Sequence, residues 1–253
     1  MNIATKTNWC ALLSVSALLL MTVSMLGGGS PVAQDNADKK DPVGPVLAGS
    51  VLPLARTGGN VVAEFSRMND IAPQPRDPAV EGMPNDWFWR NGEIAVRYSE
   101  STQGLSVELF DKKKSLLGCG RLKDNLAEGH WLWKEDNIML TCNYNLGKLD
   151  GALVSYRDGE LAEWSQYEDG KLDGLDMSFA SSTEGDYVTS NWENDQLQGV
   201  TIEYHNGIPE KVYHYQAGKL HGSYIEYGKD GEVLVRGTYK DGEQVGKWDG
   251  QKD

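Results

Sequence analysis

Cations, cysteines and phenylalanines are scarce in this chain of 253 residues. It has 24 Lys and Arg against 37 Asp and Glu, a formal net charge of -13. A protein that tracks nucleic-acid phosphates needs Lys and Arg to displace counterions, so this balance argues against a nucleic-acid binder. It argues equally against adsorption to anionic lipid. The 3 cysteines are too few for a structural zinc centre, which takes four ligands. The 4 histidines, His130, His205, His214 and His221, show no paired-ligand spacing such as His-Glu-x-x-His. There is no Gly-x-Ser-x-Gly elbow and no Gly-rich phosphate loop opening a helix. Adjacent acids such as Glu135-Asp136 mean little among 37. No catalytic, cofactor or metal set is expected, and the chain reads as a non-enzyme. Eight of the 9 prolines precede residue 85, while every Tyr, and every Trp except Trp9, follows residue 86.

What is present begins with an export signal. Lys6 is the one charge before Asp35, and Ala11 to Leu26 is apolar apart from Ser14, Ser16, Thr22 and Ser24. A positive start, an apolar stretch and then small residues (Gly27 to Ser30, Ala33) read as a signal peptide over 1–33. The other reading is an uncleaved anchor, since the 18 residues from Trp9 to Leu26 are just long enough to span a bilayer. Either way the chain is expected to be exported: periplasmic, secreted, or held on the outer face of the cytoplasmic membrane. No lipid contact beyond such an anchor is expected. Residues 34–81 read as a Pro-rich disordered linker. Runs such as Pro73-Gln74-Pro75 lack amide donors for a ladder and the segment has little aromatic surface to bury, though Val61 to Met68 has the pattern of a short strand or helix.

From residue 82 onward one unit recurs. The glycines Gly104, Gly129, Gly151, Gly174, Gly199, Gly222 and Gly246 are spaced 25, 22, 23, 25, 23 and 24 residues apart. A steady period of this size means an array of one small supersecondary unit. Seven residues before six of these anchors stand Leu122, Tyr144, Tyr167, Trp192, Tyr215 and Tyr239. Turn dipeptides separate the runs: Asn91-Gly92, Asp158-Gly159, Asn206-Gly207 and Asp230-Gly231, and a second series at Asp169-Gly170, Ala217-Gly218 and Asp241-Gly242. Each unit is therefore strand, tight turn, strand, tight turn. The predicted fold class is all-β, an elongated ribbon of antiparallel hairpins over 82–253, with about seven repeats touching only their neighbours. Trp131-Leu132-Trp133 shows the alternation directly.

The pattern Tyr-x-x-Gly-Lys-Leu-x-Gly-x-x-x-x-Tyr, clearest from Tyr215 to Tyr227 and also present at Tyr144 to Tyr156, resembles the MORN-repeat variant of bacterial proteins. Many such proteins are labelled antitoxins of the YwqK type. The resemblance implies a hairpin-ribbon scaffold that binds a partner protein. The copies around Gly104 and Gly129 lack the Gly-Lys-Leu-x-Gly form.

Three residue sets remain. Cys119 and Cys142 are one period apart in an exported chain, so they are the candidate disulfide; the alternative is two buried free thiols. Counted from their anchors they fall on opposite faces of a strict pleat, unless a bulge by Gly118 and Gly120 restores the match. His221 holds a repeat position that is Asp in two other units and reads as a surface side chain. Asp169 to Gly174 fits a calcium loop poorly, with Lys171 and Ala180 at two ligand positions. Trp164, Trp192 and Trp248 are expected to pack across strands. Trp87, Trp89, Trp131 and Trp133 lie where the repeat is irregular, and there an exposed aromatic patch is expected. Two functions follow: a protein-binding scaffold with an unidentified protein partner, or a carbohydrate-binding module in which the Trp patch stacks on an envelope glycan.

Overall fold

A computed structural model describes residues 52–69, 71–73, 83–101, 104–180 and 185–250. The signal expected over 1–33 and the first part of the expected linker lie outside them. Among the described residues the architecture is all-β apart from two short helices. Consecutive strands pair antiparallel in an open sheet. The described chain divides into two compact units that meet in sequence at Lys148 and Leu149.

The first unit opens with helices α1 (Leu52–Thr57) and α2 (Val61–Asn69). Over 52–69 these correct the expectation of a linker spanning 34–81. Leu54, Ala55, Val61, Val62 and Phe65 are each at most 4% exposed, so the segment has a buried apolar side despite its prolines. Asn60 caps α2 by accepting the amide of Ala63 (3.0 Å). The strands are β1 (Ala72–Pro73), β2 (Trp87–Phe88), β3 (Ile94–Ser101), β4 (Gly104–Phe110), β5 (Leu116–Lys123), β6 (Leu126–Glu135) and β7 (Ile138–Asn145). Pro73 does join a ladder, contrary to expectation, because among the described residues β1 pairs with β2 alone and so is an edge strand, where a missing amide is tolerated.

Among the described residues the rest of the chain forms strands alone: β8 (Lys148–Leu149), β9 (Gly151–Arg157), β10 (Glu160–Glu168), β11 (Lys171–Phe179), β12 (Tyr187–Glu193), β13 (Gln196–Leu197), β14 (Gly199–His205), β15 (Ile208–Gln216), β16 (Lys219–Leu220), β17 (Gly222–Tyr227), β18 (Val233–Lys240) and β19 (Glu243–Asp249).

The repeat has a backbone cause. All seven anchor glycines take positive φ, from 66 to 117°, a region closed to most side chains. Across the ladder, Gly129, Gly151, Gly174, Gly199 and Gly222 face Tyr144, Tyr167, Trp192, Tyr215 and Tyr239. The aromatic seven residues before one anchor is thus the cross-strand partner of the previous anchor. Asp158-Gly159, Asp169-Gly170, Asn206-Gly207, Ala217-Gly218 and Asp241-Gly242 have positive φ at both residues, as a two-residue hairpin turn demands. At Asn91-Gly92 and Asp230-Gly231 only the glycine does, within longer loops closed by Trp89 and Glu93 and by Gly228 and Glu232.

Turns also bond to the unit before them. The amides of Gly147, Gly170, Asp195, Gly218 and Gly242 donate to the carbonyls of Ala127, Leu149, Leu172, Leu197 and Leu220 at 2.8–3.0 Å. At four of the anchors the residue just before the glycine supplies a second tie. Glu128, Asp173, Gln198 and His221 accept the amides of Leu146, Asn194, Ala217 and Asp241 at 2.9, 3.1, 2.9 and 3.4 Å. In these four units the variable position holds an acceptor, whatever its charge. His221 is therefore a turn cap, also 3.5 Å from the Asp241 carboxylate. At the matching position before Gly246 stands Val245, which has no acceptor to offer.

Candidate functional site

Strand register assigns every side chain to one of two faces. The anchor face carries the anchor glycines and their aromatic partners. In the first unit it is a closed core. Val96, Val107, Leu109, Trp131, Trp133, Leu140, Cys142 and Tyr144 are each at most 3% exposed. The helices lie on it: the Tyr144 hydroxyl donates to the Ala55 carbonyl, and Phe65 meets Trp89 edge-on at 5.9 Å. The loop between the helices is tied to the sheet by Gly59, whose amide donates to Gly147 and whose carbonyl accepts from Ala127 (2.5 and 3.1 Å).

This overturns the expected exposed patch. Trp131 and Trp133 are fully buried and stacked, with ring centroids 5.2 Å apart at 19°. Trp89 is 5% exposed, and its indole N–H donates to the Phe110 carbonyl. Only Trp87 is half-buried. The two stacked rings lie on bare backbone: a Cβ on Gly120 would stand 2.2 Å from the Trp131 ring, and one on Gly118 2.7 Å from Trp133. These glycines leave room for the indoles that the helices then cover.

The Cys119–Cys142 bond is not formed. Cys142 is a free, buried thiol, pushed up to about 12 by burial. Across β6, Cys119 pairs with Leu132 and Cys142 with Trp131. Neighbouring residues of β6 point to opposite faces, so the two sulfurs lie on opposite sides of the sheet. The β5–β6 bulge falls after Cys119 and does not bring them together.

The histidines serve the fold. His205 Nδ1 lies 2.9 Å from Asp186 Oδ1, and His214 Nδ1 is 2.9 Å from the Ser223 carbonyl. Burial lowers the pKa of His130. Among the described residues there is no group of three or more His, Cys, Asp or Glu placed to hold a metal.

In the second unit the anchor face has no helix over it among the described residues. One row of this face runs from small to large across the strands: Ser165, Asp176, Ser190, Thr201, Tyr213 and Tyr224. Where the hydroxyls are small they are buried and bond to one another, as Thr201 does to Ser190 (3.3 Å). From β15 onward the row is aromatic. Tyr213 lies 5.4 Å from Tyr224, which stacks on Trp248 at 5.3 Å, and Tyr239 meets Trp248 edge-on at 5.1 Å. Trp248 repeats the glycine device of the first unit, lying on Gly237, where a Cβ would be 2.1 Å away. These rings are half-buried.

Carboxylates frame them. The Tyr213 hydroxyl donates to Glu203 Oε1 (2.7 Å), and the Tyr224 hydroxyl donates to Glu226 Oε2 (3.0 Å). Burial, then the adjacent carboxylates, push both phenols above their ordinary pKa, so they stay protonated donors. Lys211 Nζ lies 3.3 Å from Glu203 Oε2. Glu203, Lys211, Tyr213, Tyr224, Glu226, Tyr239 and Trp248 form the candidate site. Sequence reading had grouped Trp248 with the core and Tyr239 with the repeat, and had not singled out Tyr213 or Tyr224, which stand where the neighbouring unit has Ser190 and Thr201. The available signal was Tyr224-Ile225-Glu226, an aromatic and an acid two apart, hence on one face of a strand.

No protein-family model matches the chain, and no curated protein matches it.

Proposed function

We propose that this chain is a non-enzymatic, exported repeat scaffold that works by binding another protein through the anchor face of its second unit, around Tyr213, Tyr224 and Trp248. The observation that carries the reading is the contrast between the units. The same face that is sealed by α1 and α2 in the first unit bears half-buried aromatic rings and no described helix in the second. Tyr and Trp dominate binding hot spots because they offer large rigid area at small entropic cost. Here cross-strand packing and the carboxylate bonds hold the rings in place before any partner arrives. The resemblance to MORN-variant repeats supports the same reading, and with it an antitoxin-like role toward an exported partner. The export signal over 1–33 supports the location. The glycan reading is weakened, because three of the four tryptophans it relied on are core.

Affinity capture from cell-envelope extract with the full chain tests the reading. A protein retained by the native chain and reduced about tenfold on Tyr213→Ala plus Tyr224→Ala, with the far-UV spectrum preserved, is the expected result. Equal retention by the variant, recovery of glycan without protein, or turnover of a substrate contradicts it.

A further inference from the structure

The geometry points to the chemistry of the partner: we infer that the face around Tyr213 and Tyr224 takes a segment of the partner protein bearing Lys or Arg side chains. This rests on the docking face proposed above. Register places Glu203, Lys211 and Glu226 in one row across three neighbouring strands, β14, β15 and β17, all on the anchor face. The row holds two carboxylates and one ammonium, so it is one positive charge short of balance. Lys211 is the face's own example of the ligand. Its side chain is 19% exposed, lies 3.3 Å from Glu203 and pairs in register with Glu226. A site that already accommodates one alkyl-ammonium between two acids beside aromatic rings suits a second cation of the same kind.

The tyrosines sharpen that preference. Each hydroxyl is committed to a carboxylate, which fixes the ring and orients the acid. An ionised carboxylate has about four lone-pair sites, and one phenol uses one of them. The remaining capacity suits the forked donors of a guanidinium or the three of an ammonium. The ring faces of Tyr213, Tyr224 and Trp248 add cation–π attraction. The first unit shows this contact in place, with the Lys112 ammonium 5.2 Å from the centre of the Trp89 ring. The alternatives are disfavoured by sign. An acidic segment, or a second copy of the chain presenting the same face, would set carboxylate against carboxylate. A net charge of -13 steers cationic partners inward.

The test titrates the full chain, following Trp fluorescence, with three peptides of equal length: a Gly-Ser chain bearing spaced Arg, one bearing Lys and one bearing Glu. The Arg and Lys peptides are expected to bind and the Glu peptide is not. Glu203→Gln plus Glu226→Gln, which keeps the shapes and the oxygen acceptors, is expected to weaken Arg-peptide binding about tenfold. Glu193→Gln plus Glu243→Gln removes equal charge from exposed positions on the other face and is expected to change it less than about twofold. Lys211→Gln, which releases Glu203 from its resident cation, is expected to tighten binding, an effect that mere loss of structure cannot produce. Equal weakening by the two Glu pairs, weaker binding by Lys211→Gln, or binding of the Glu peptide overturns the inference. The capture experiment separates the levels. A protein lost on the Tyr pair but kept by Glu203→Gln plus Glu226→Gln leaves the docking face standing and removes its cationic assignment. One kept by both sets of variants removes the docking face itself.

Discussion

Gly120→Ala is expected to destabilise the first unit by about 1–3 kcal/mol, the range for forcing extra volume into a filled core. The substitution adds one methyl group, and at an ordinary strand position alanine would be harmless. Here the added Cβ would lie 2.2 Å from the Trp131 ring, too close for any real contact. Trp131 cannot move aside freely. It stacks on Trp133 at 5.2 Å, meets Tyr144 edge-on at 6.0 Å and bonds the Arg121 carbonyl through its indole N–H at 3.1 Å. Urea unfolding followed by Trp fluorescence measures the cost. Trp131→Ala is expected to be costly by itself, but the double variant should cost less than the sum, because the methyl group then enters the space the ring has left. Strict additivity would show that the glycine and the ring do not share that space.

Phe65→Ala is expected to cost about 3–5 kcal/mol, as for deletion of a large aromatic from a packed interior. Phe65 is completely buried and stands edge-on to Trp89, so its loss leaves a cavity between α2 and the sheet. The substitution decides between two views of residues 52–69. If they belonged to a linker, Phe65→Ala would leave the unfolding midpoint unchanged and protease cleavage in the segment would be as fast before as after. As part of the core, the native segment should resist cleavage and the variant should not.

The period of the repeat and its hairpin turns were readable in the sequence because the anchors recur for a backbone reason. Each of the seven needs positive φ, and glycine marks that need wherever it arises. The parity of Cys119 and Cys142 was readable for a similar reason, since strand geometry alone assigns faces. The helices were not. α1 and α2 are short, stand beside prolines and gain stability from Trp89 and Tyr144, residues far along the chain that no local pattern connects to them. The same gap misplaced Trp131 and Trp133. Alternation put them on one face correctly, but only the distant helices decide that this face is covered. The caps before the anchors escaped notice because Glu128, Asp173, Gln198 and His221 share an acceptor and little else. The candidate site was half legible. Tyr239 was seen as a repeat position, while Tyr213 and Tyr224 stand where the neighbouring unit has Ser190 and Thr201, and the absence of any described helix over them became apparent only once the first unit was seen to be sealed.

Hydroxyl-radical footprinting of the full chain, read residue by residue by mass spectrometry, tests the central claim most directly. The account predicts that Tyr213, Tyr224 and Trp248 are oxidised readily, that Phe65, Trp131 and Trp133 are protected, and that the captured partner protein then shields the first three. Ready oxidation of Trp131 and Trp133, or a partner that leaves Tyr213, Tyr224 and Trp248 as reactive as before, would contradict it.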